Sequence, residues 1–99
     1  PLVMAGGVSG QVVFGEGERS AAGVPVFIEH EETRAVVHAV TFSDGEFYVF
    51  GLRPGTYTLT IQSEYLDRIQ GIAESVTLRV DPAAASVMVE GIVLRISVP

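Results

Sequence analysis

Apolar and polar residues alternate with a period of two along most of the chain. The clearest run is 56–62, in which Tyr57, Leu59 and Ile61 alternate with threonine and glutamine. Successive side chains of a β-strand point to opposite faces, so such a run places one row in a core and leaves the other row in water. The same period recurs at 8–14, 24–29, 35–42, 46–50, 75–80 and 87–98. We therefore predict seven β-strands.

Turn-forming residues separate these runs. In Asp44-Gly45 the glycine can take a positive φ and the aspartate can bond its own backbone. In Pro54-Gly55 the proline presets φ and the glycine supplies a left-handed residue. A charged bend at 29–33 separates two further runs. Strands and turns at this spacing favour an all-β sandwich of two sheets.

Two short segments lack the alternation, and either can form a helical turn. The first is 64–69, which we predict to be one short helical turn. The second is the alanine run 83–85, which is too short to matter as a helix.

The alternation of the last run changes phase at Gly91. The apolar positions of 87–89 are in phase with each other, and those of 92–96 are in phase after the change. A β-bulge at 90–91 reconciles the two registers. A strand that is buried on both faces also explains the pattern and needs no bulge. The residues alone leave both explanations open.

Length and composition indicate one folded domain. The chain has 99 residues, of which 47% are hydrophobic and 18% are charged. This length fits one domain, and the composition is not that of a disordered chain. We expect residues 1–6 to be a tail or a cloning remnant and residues 7–98 to form a single β-sandwich domain.

The charge balance excludes several classes of function. The net charge is −6, with six arginines and no lysine. A nucleic-acid-binding protein needs a cationic face, and docking on anionic lipid needs one too. No apolar run reaches the roughly 18 residues of a membrane span, so we expect a chain that is not itself membrane-inserted. The absence of cysteine rules out disulfides, thiolate nucleophiles and cysteine-ligated metals.

Three stretches together resemble a known family. They are 10–14 followed by 22–26, then 41–52, then 53–61 with its continuation to Tyr65. The chain resembles the carboxypeptidase regulatory-like domain over about 7–98, and it is similar to the Cna-B and SdrD B-type repeats of bacterial surface proteins. The specific part is an Asp-Gly-x-Phe-x-Val-x-x-Leu-x-Pro-Gly-x-Tyr motif, formed here by Asp44, Gly45, Phe47, Val49, Leu52, Pro54, Gly55 and Tyr57. The resemblance implies a seven-stranded antiparallel β-sandwich of the immunoglobulin/transthyretin-like type.

The motif is explained by folding and needs no chemistry. We expect Asp44-Gly45 to close a hairpin and Leu52 to lie under the Pro54-Gly55 turn. The predicted core consists of Val26, Ile28, Phe47, Val49, Leu52, Tyr57, Leu59 and Ile61. A fold of this kind implies a scaffold and specifies no ligand.

The chain departs from the resembled surface repeats in two ways. Those repeats often carry a calcium loop rich in Asp and Asn after the first strand, whereas 15–19 here reads Gly-Glu-Gly-Glu-Arg. A calcium ion prefers six to eight oxygen ligands. Relatives with an isopeptide bond need a lysine, and this chain has neither lysine nor asparagine. We therefore expect no cofactor, no metal and no covalent cross-link.

The polar residues suggest no active site. Glu29, His30, Glu31 and Glu32 form one dense cluster, and imidazole and carboxylate can bind metal. Adjacent residues of a strand point to opposite faces, so a solvated loop is the better interpretation. We predict that His38 is a partly buried structural residue. No Gly-x-Ser-x-Gly nucleophile motif is present, and we assign no catalytic residue.

Three aromatic residues fall on the face opposite the predicted core row, namely Phe27, Tyr48 and Phe50. Exposed together, they would form a patch that binds carbohydrate or protein. Alternatively, the second sheet, a loop or a neighbouring domain covers them. Both interpretations stay open.

We therefore expect a non-catalytic structural or interaction module of a larger secreted or cell-envelope protein. It would be extracellular, at the cell surface or periplasmic, and its partners would be neighbouring domains of the same polypeptide or another envelope protein. The alternative is a small module that binds carbohydrate or peptide, through the aromatic residues or through an exposed strand edge.

Overall fold

Nine strands and one helix account for most of the described residues. The computed structural model describes residues 6–15, 19–80 and 88–98. In chain order the elements are β1 (Gly6–Phe14), β2 (Arg19–Ser20), β3 (Pro25–His30), β4 (Val36–Val40), β5 (Glu46–Leu52), β6 (Gly55–Ile61), α1 (Ser63–Ile69), β7 (Ile72–Ala73), β8 (Val76–Val80) and β9 (Met88–Ser97).

The seven longer strands correspond to the seven predicted ones. The two additional strands, β2 and β7, have two residues each. Two residues cannot display a period, which is why the sequence did not indicate them. The predicted helical turn at 64–69 is confirmed as α1. The alanine run 83–85 and most of the 15–19 loop lie outside the described residues.

The strands form two sheets, which confirms the predicted sandwich. Sheet I has the order β2-β1-β9-β7, with β5 also paired to β1, and sheet II has the order β4-β3-β6-β8. All pairs of sheet II are antiparallel. In sheet I, β1 and β9 are parallel, which the antiparallel prediction did not include. Two neighbouring parallel strands cannot be joined by a hairpin and need a crossover connection. Here the chain that connects β1 to β9 contains all four strands of sheet II.

Two β-bulges keep apolar residues on the inner face. The register of β1 against β9 shifts between Val89 and Ile92, and Gly91 there has φ 79°. The predicted bulge is thus confirmed. A second shift lies in β5, where Gly51 has φ 75°. Because of this extra residue, Leu52 points into the core although it is three residues after Val49.

The core lies between the two sheets. All eight residues of the predicted core are buried there. Sheet I adds Val8, Val12, Leu94 and Ile96, each fully buried. The largest fully buried side chain is Phe47, whose ring lies against Gly10 of the neighbouring strand. A Cβ atom on Gly10 would come within 2.7 Å of that ring. The Phe47 ring therefore fits here only because residue 10 has no side chain.

The helix α1 closes the sandwich after β6. Its apolar residues Tyr65, Leu66 and Ile69 pack against the core cluster. The helix ends at Gln70, which has a left-handed φ of 55°, and the next amide, that of Gly71, donates to the Leu66 carbonyl at 2.8 Å. This arrangement satisfies a carbonyl at the helix end. Within the described ranges, no helix has the length and hydropathy needed to cross a membrane.

Candidate functional site

The Asp44-Gly45 turn uses its polar groups internally. The Glu46 amide donates to Asp44 Oδ1 at 3.0 Å, and the Gly45 amide donates to the Phe42 carbonyl at 2.9 Å. The Gly45 carbonyl accepts from the Val12 amide at 2.8 Å, which joins the turn to β1. Gly45 has φ 79°, and a Cβ atom there would lie 2.8 Å from the Val12 carbonyl oxygen. The carboxylate therefore serves the turn. The prediction that Asp44-Gly45 closes a hairpin was wrong, because β4 pairs with β3 in sheet II whereas β5 pairs with β1 in sheet I, so the turn connects the two sheets.

The Pro54-Gly55 turn is held by two side chains from the strands around it. Tyr57 Oη donates to the Arg53 carbonyl at 2.7 Å, and His30 Nε2 lies 3.3 Å from the Pro54 carbonyl oxygen. Gly55 has φ 144°, and a Cβ atom there would overlap the His30 ring. Glycine is thus required both by the backbone angle and by the neighbouring imidazole.

His30 is a buried structural residue. Its side chain is only 8% exposed, and its Nδ1 accepts from the amides of Glu32 and Thr33 at 3.2 and 3.3 Å. Because Nδ1 accepts two hydrogen bonds, the ring proton lies on Nε2, which donates to the Pro54 carbonyl. The ring also meets Tyr57 edge-to-face at 4.9 Å and 83°. His30 therefore connects the β3–β4 turn to the Pro54-Gly55 turn.

The polar cluster 29–32 does not converge on one point. Glu29 lies 3.3 Å from the guanidinium of Arg34, while Glu31 and Glu32 are exposed. Both nitrogens of His30 are occupied by the protein's own backbone. Across 6–15, 19–80 and 88–98, no three His, Asp or Glu side chains are arranged to hold a metal ion.

His38 is exposed, so the prediction of a partly buried residue was wrong. It lies on β4, an edge strand whose outer face nothing in the described structure covers. Its ring stacks on Phe27 of β3, with centroids 4.5 Å apart and planes at 25°. The interpretation of 29–32 as a solvated loop was also wrong for His30, because β3 extends to His30 and the side chain is buried. The period of two did not reveal this because the alternating run was assigned only to 24–29.

A cavity of about 330 Å³ opens between β4 of sheet II and β5 of sheet I. Residues lining it include His30, Ala35, Val37, Leu52, Arg53 and Tyr57. Its wall is mostly apolar, and the polar atoms of His30 and Tyr57 are already paired within the protein. The cavity can accept a small apolar group. Neither His30 nor Tyr57 presents an unpaired nucleophile or base to it.

The structure places the three predicted outer-face aromatics on different sheets. Tyr48 and Phe50 lie on β5 of sheet I and are 43% and 72% exposed, whereas Phe27 lies on sheet II, half-buried beneath His38. They do not form one patch. The sequence pattern missed Phe42, which is 57% exposed and lies 5.8 Å from the Tyr48 ring. We had assigned Phe42 to a strand, but β4 ends at Val40.

Two tyrosines have raised pKa values for different reasons. Tyr48 Oη donates to Glu46 Oε2 at 2.7 Å, and this hydrogen bond raises the pKa of Tyr48 above its ordinary value because it favours the protonated form. Burial raises the pKa of Tyr57, because it disfavours the charged phenolate. Both hydroxyls therefore stay neutral at physiological pH, and neither is activated as a base.

Solved structures with a similar fold include proteins of different kinds. The minor pilin GBS52 of Streptococcus agalactiae is 17% identical, with a TM-score of 0.68 over 97% of this chain and 45% of that one. The TIE protein of Bacillus anthracis is 13% identical, with a TM-score of 0.69 over 96% and 17%. Chlorocatechol 1,2-dioxygenase of Pseudomonas putida is 10% identical, with a TM-score of 0.58 over 95% and 60%. At these identities the likeness shows a shared fold alone.

The sequence comparisons are more specific about the family. No curated protein matches the chain. The chain spans less than half of the minor pilin and about a sixth of the TIE protein. The model of the carboxypeptidase regulatory-like domain matches residues 7–90, which include the whole motif from Asp44 to Tyr57. The chain belongs to the carboxypeptidase regulatory-like domain family.

Proposed function

We propose that the chain is a non-catalytic structural or interaction module of a larger secreted or cell-envelope protein, where it acts as a spacer or docking domain. One observation carries this proposal: the polar side chains of the family motif and its surroundings are engaged in holding turns. Asp44, His30 and Tyr57 each bond to nearby backbone at 2.7 to 3.3 Å. Groups used in this way hold the chain in its turns, so these three side chains are not available to position a substrate.

The proposed setting is extracellular, at the cell surface or periplasmic. One solved structure with a similar fold supports this setting, because GBS52 is a minor pilin. The minor pilin and the TIE protein together support a module of a larger protein, because in both the shared fold is only part of a longer chain. The proposed partners are neighbouring domains of the same polypeptide or another envelope protein. Exposed apolar residues on the β4 and β5 sides of the sandwich support a docking role, since such surface is where modules associate.

A paired measurement of stability and affinity tests this proposal. The affinity of the chain for the neighbouring domains is measured by calorimetry, and its thermal unfolding by circular dichroism. We expect Gly45→Ala and Gly55→Ala to lower the melting temperature while the folded fraction keeps its affinity. Phe50→Glu, at a residue that is 72% exposed, should weaken binding at an unchanged melting temperature.

Two outcomes contradict the proposal. If binding collapses in the glycine variants while the melting temperature holds, the turns are a recognition site. If the chain alone turns over a substrate, and His30→Ala abolishes this without unfolding the chain, the module is an enzyme.

The alternative function, a small carbohydrate- or peptide-binding module, has one observation in its favour. Phe42, Tyr48 and Phe50 are all exposed, and the last two lie on β5, an edge strand that pairs only with β1 among the described strands. A glycan array and a peptide library distinguish the two functions. Binding that is lost in Tyr48→Ala and kept in Phe27→Ala supports the alternative, because Phe27 lies on the other sheet.

A further inference from the structure

The strand β4 has one edge with unpaired main-chain groups. Along β3 and β4 the Thr41 amide donates to the Val24 carbonyl at 3.1 Å, and the His30 amide donates to the Ala35 carbonyl at 2.9 Å. Hydrogen-bonded pairs alternate in an antiparallel ladder, so the odd-numbered residues of this stretch bond to β3. The even-numbered residues of β4 therefore direct their N–H and C=O groups away from β3. Among the described strands, β4 pairs with β3 alone.

This edge also lacks the features that normally prevent pairing. Natural sheets protect their edges with charged side chains, proline, bulges or very short strands. The edge strand β5 carries Glu46 and a bulge at Gly51, β8 carries Arg79, and β7 has only two residues. In contrast, β4 reads Val-Val-His-Ala-Val without a charge, proline or glycine, and the chain carries no charged residue from 35 to 42.

The apolar side chains of β4 remain in water in the isolated chain. Val36, Val37 and Val40 are 44%, 38% and 58% exposed. These valines extend along the same edge as the unpaired main-chain groups. Regular backbone, apolar side chains and missing charge coincide on this strand, which fits pairing with another extended strand.

We propose that the partner is a second copy of this chain, paired through β4 in an antiparallel manner about a two-fold axis at His38. In this register Val36 faces Val40 of the second copy and His38 faces its own counterpart. The even-numbered residues then exchange about six main-chain hydrogen bonds. The two copies of sheet II join into one continuous sheet.

The strand β4 is complementary to itself in this register. Apolar Val36, which is 44% exposed, faces Val40, which is 58% exposed, in both halves of the interface. The chain has a net charge of −6, so two copies repel over most of their surfaces, but the neutral stretch 35–42 brings no acid opposite an acid within β4. An isologous interface requires this kind of self-complementarity.

Cysteine cross-linking tests the interface and its register, because the chain has no cysteine of its own. His38→Cys should form a disulfide dimer under mild oxidation, since Cα atoms of a directly opposed bonded pair are about 5.5 Å apart and disulfides span 4.4 to 6.8 Å. Val36→Cys alone should not cross-link, but a mixture of Val36→Cys with Val40→Cys should. Val93→Cys is the control on sheet I, because Val93 and Val36 are both 44% exposed.

Sedimentation equilibrium tests the association without a cross-link. The wild-type chain should dimerise with rising concentration. Val36→Lys should raise the dissociation constant of the dimer about tenfold or more, a change of about 1.4 kcal/mol, whereas Val93→Lys should not. Thermal unfolding of dilute samples confirms that both variants are folded.

The proposal is wrong if the wild-type chain stays monomeric at all concentrations. This holds also if the monomeric chain binds an unrelated extended peptide. It is also wrong if Val93→Cys cross-links as readily as His38→Cys, or if Val93→Lys weakens association as much as Val36→Lys. Cross-linking of Val36→Cys with itself would overturn the two-fold axis at His38.

Discussion

The strand β4 and the motif segment that follows it, residues 44–57, both carry apolar side chains on extended chain but have opposite environments. The strand β4 carries three valines, and the motif segment carries apolar residues that include Phe47, Val49 and Tyr57. In the motif segment, Phe47, Val49 and Tyr57 are at most 5% exposed, whereas Val36 and Val40 of β4 are 44% and 58% exposed. The difference arises because Phe47, Val49 and Tyr57 point toward the opposite sheet, whereas Val36 and Val40 lie on the outer face of sheet II, opposite Glu29 and Pro25 of β3. Hydrophobicity therefore has two uses in this chain: it forms the core in one segment and leaves a surface for association in the other.

The comparison predicts the largest loss of stability at Phe47. Phe47→Ala should lower the free energy of unfolding by about 3–5 kcal/mol, because a fully buried ring is removed and a cavity remains above Gly10. Chemical denaturation measures this loss. Phe50→Ala, on the same strand but 72% exposed, should cost less than about 0.5 kcal/mol. Similar losses for the two variants would contradict the assigned faces of β5.

Tyr57 should follow closely. Tyr57→Ala should cost about 3 kcal/mol or more, because the ring is 3% exposed and its hydroxyl holds the Arg53 carbonyl. The matched variant is Tyr48→Ala, since Tyr48 is 43% exposed and its hydroxyl bonds to a surface carboxylate. A loss at Tyr57 below about half a kcal/mol would show that its ring does not face the core.

Alanine substitutions at the glycine positions distinguish the cost of backbone strain from the cost of steric overlap. Gly45 and Gly91 both have φ 79°, but a Cβ atom on Gly45 would lie 2.8 Å from the Val12 carbonyl oxygen, whereas Gly91 has open space around it. Gly45→Ala and Gly55→Ala should therefore each cost about 1 kcal/mol or more. Gly91→Ala should cost less than Gly45→Ala, because it adds strain alone. Melting temperatures measured in the same buffer test this order. Equal losses of stability at Gly45 and Gly91 would show that the steric overlap at Gly45 does not contribute.

Alkaline pH should weaken the motif segment through Tyr57. Burial raises the pKa of Tyr57 above its ordinary value of 10.0, so the unfolded chain releases this proton first as pH rises. The stability that depends on the neutral phenol is fully present below about pH 10, and it is lost as pH rises through the folded pKa. As the pH rises from below the ordinary tyrosine pKa of 10.0 to above it, the free energy of unfolding from denaturation curves should fall more steeply for wild type than for Tyr57→Phe. Parallel curves would contradict this.

The smallest effect is expected on β4. Val40→Thr should change the free energy of unfolding by no more than about 0.5 kcal/mol in dilute solution, because the side chain is 58% exposed. Val49→Thr makes the same chemical change at a residue that is 5% exposed, and there the buried hydroxyl should cost about 1–3 kcal/mol. A large loss for Val40→Thr would mean that β4 is covered within a single copy.

Local rules were sufficient to predict the seven longer strands, the positions of the motif turns and eight residues of the core. The period of two identified every strand of five or more residues, because one buried face imposes alternation within the strand itself. Gly45 and Gly55 could be assigned to turns because a positive φ excludes most other residues. The change of phase at Gly91 left a bulge and a strand buried on both faces as alternatives, and only the register of β1 against β9 decided for the bulge.

Tertiary structure decided which strands lie at an edge and which side chains meet. The sequence could not show that His30 is buried against Tyr57 while His38 is exposed, because burial depends on neighbours distant in the chain. It also could not show that Phe27 belongs to one sheet and Tyr48 to the other. The alternation of side chains is a property of each strand alone, whereas the order of strands in a sheet results from pairing across long loops. The family motif was therefore readable in the sequence, and the open edge of β4 became visible only after the strands were paired.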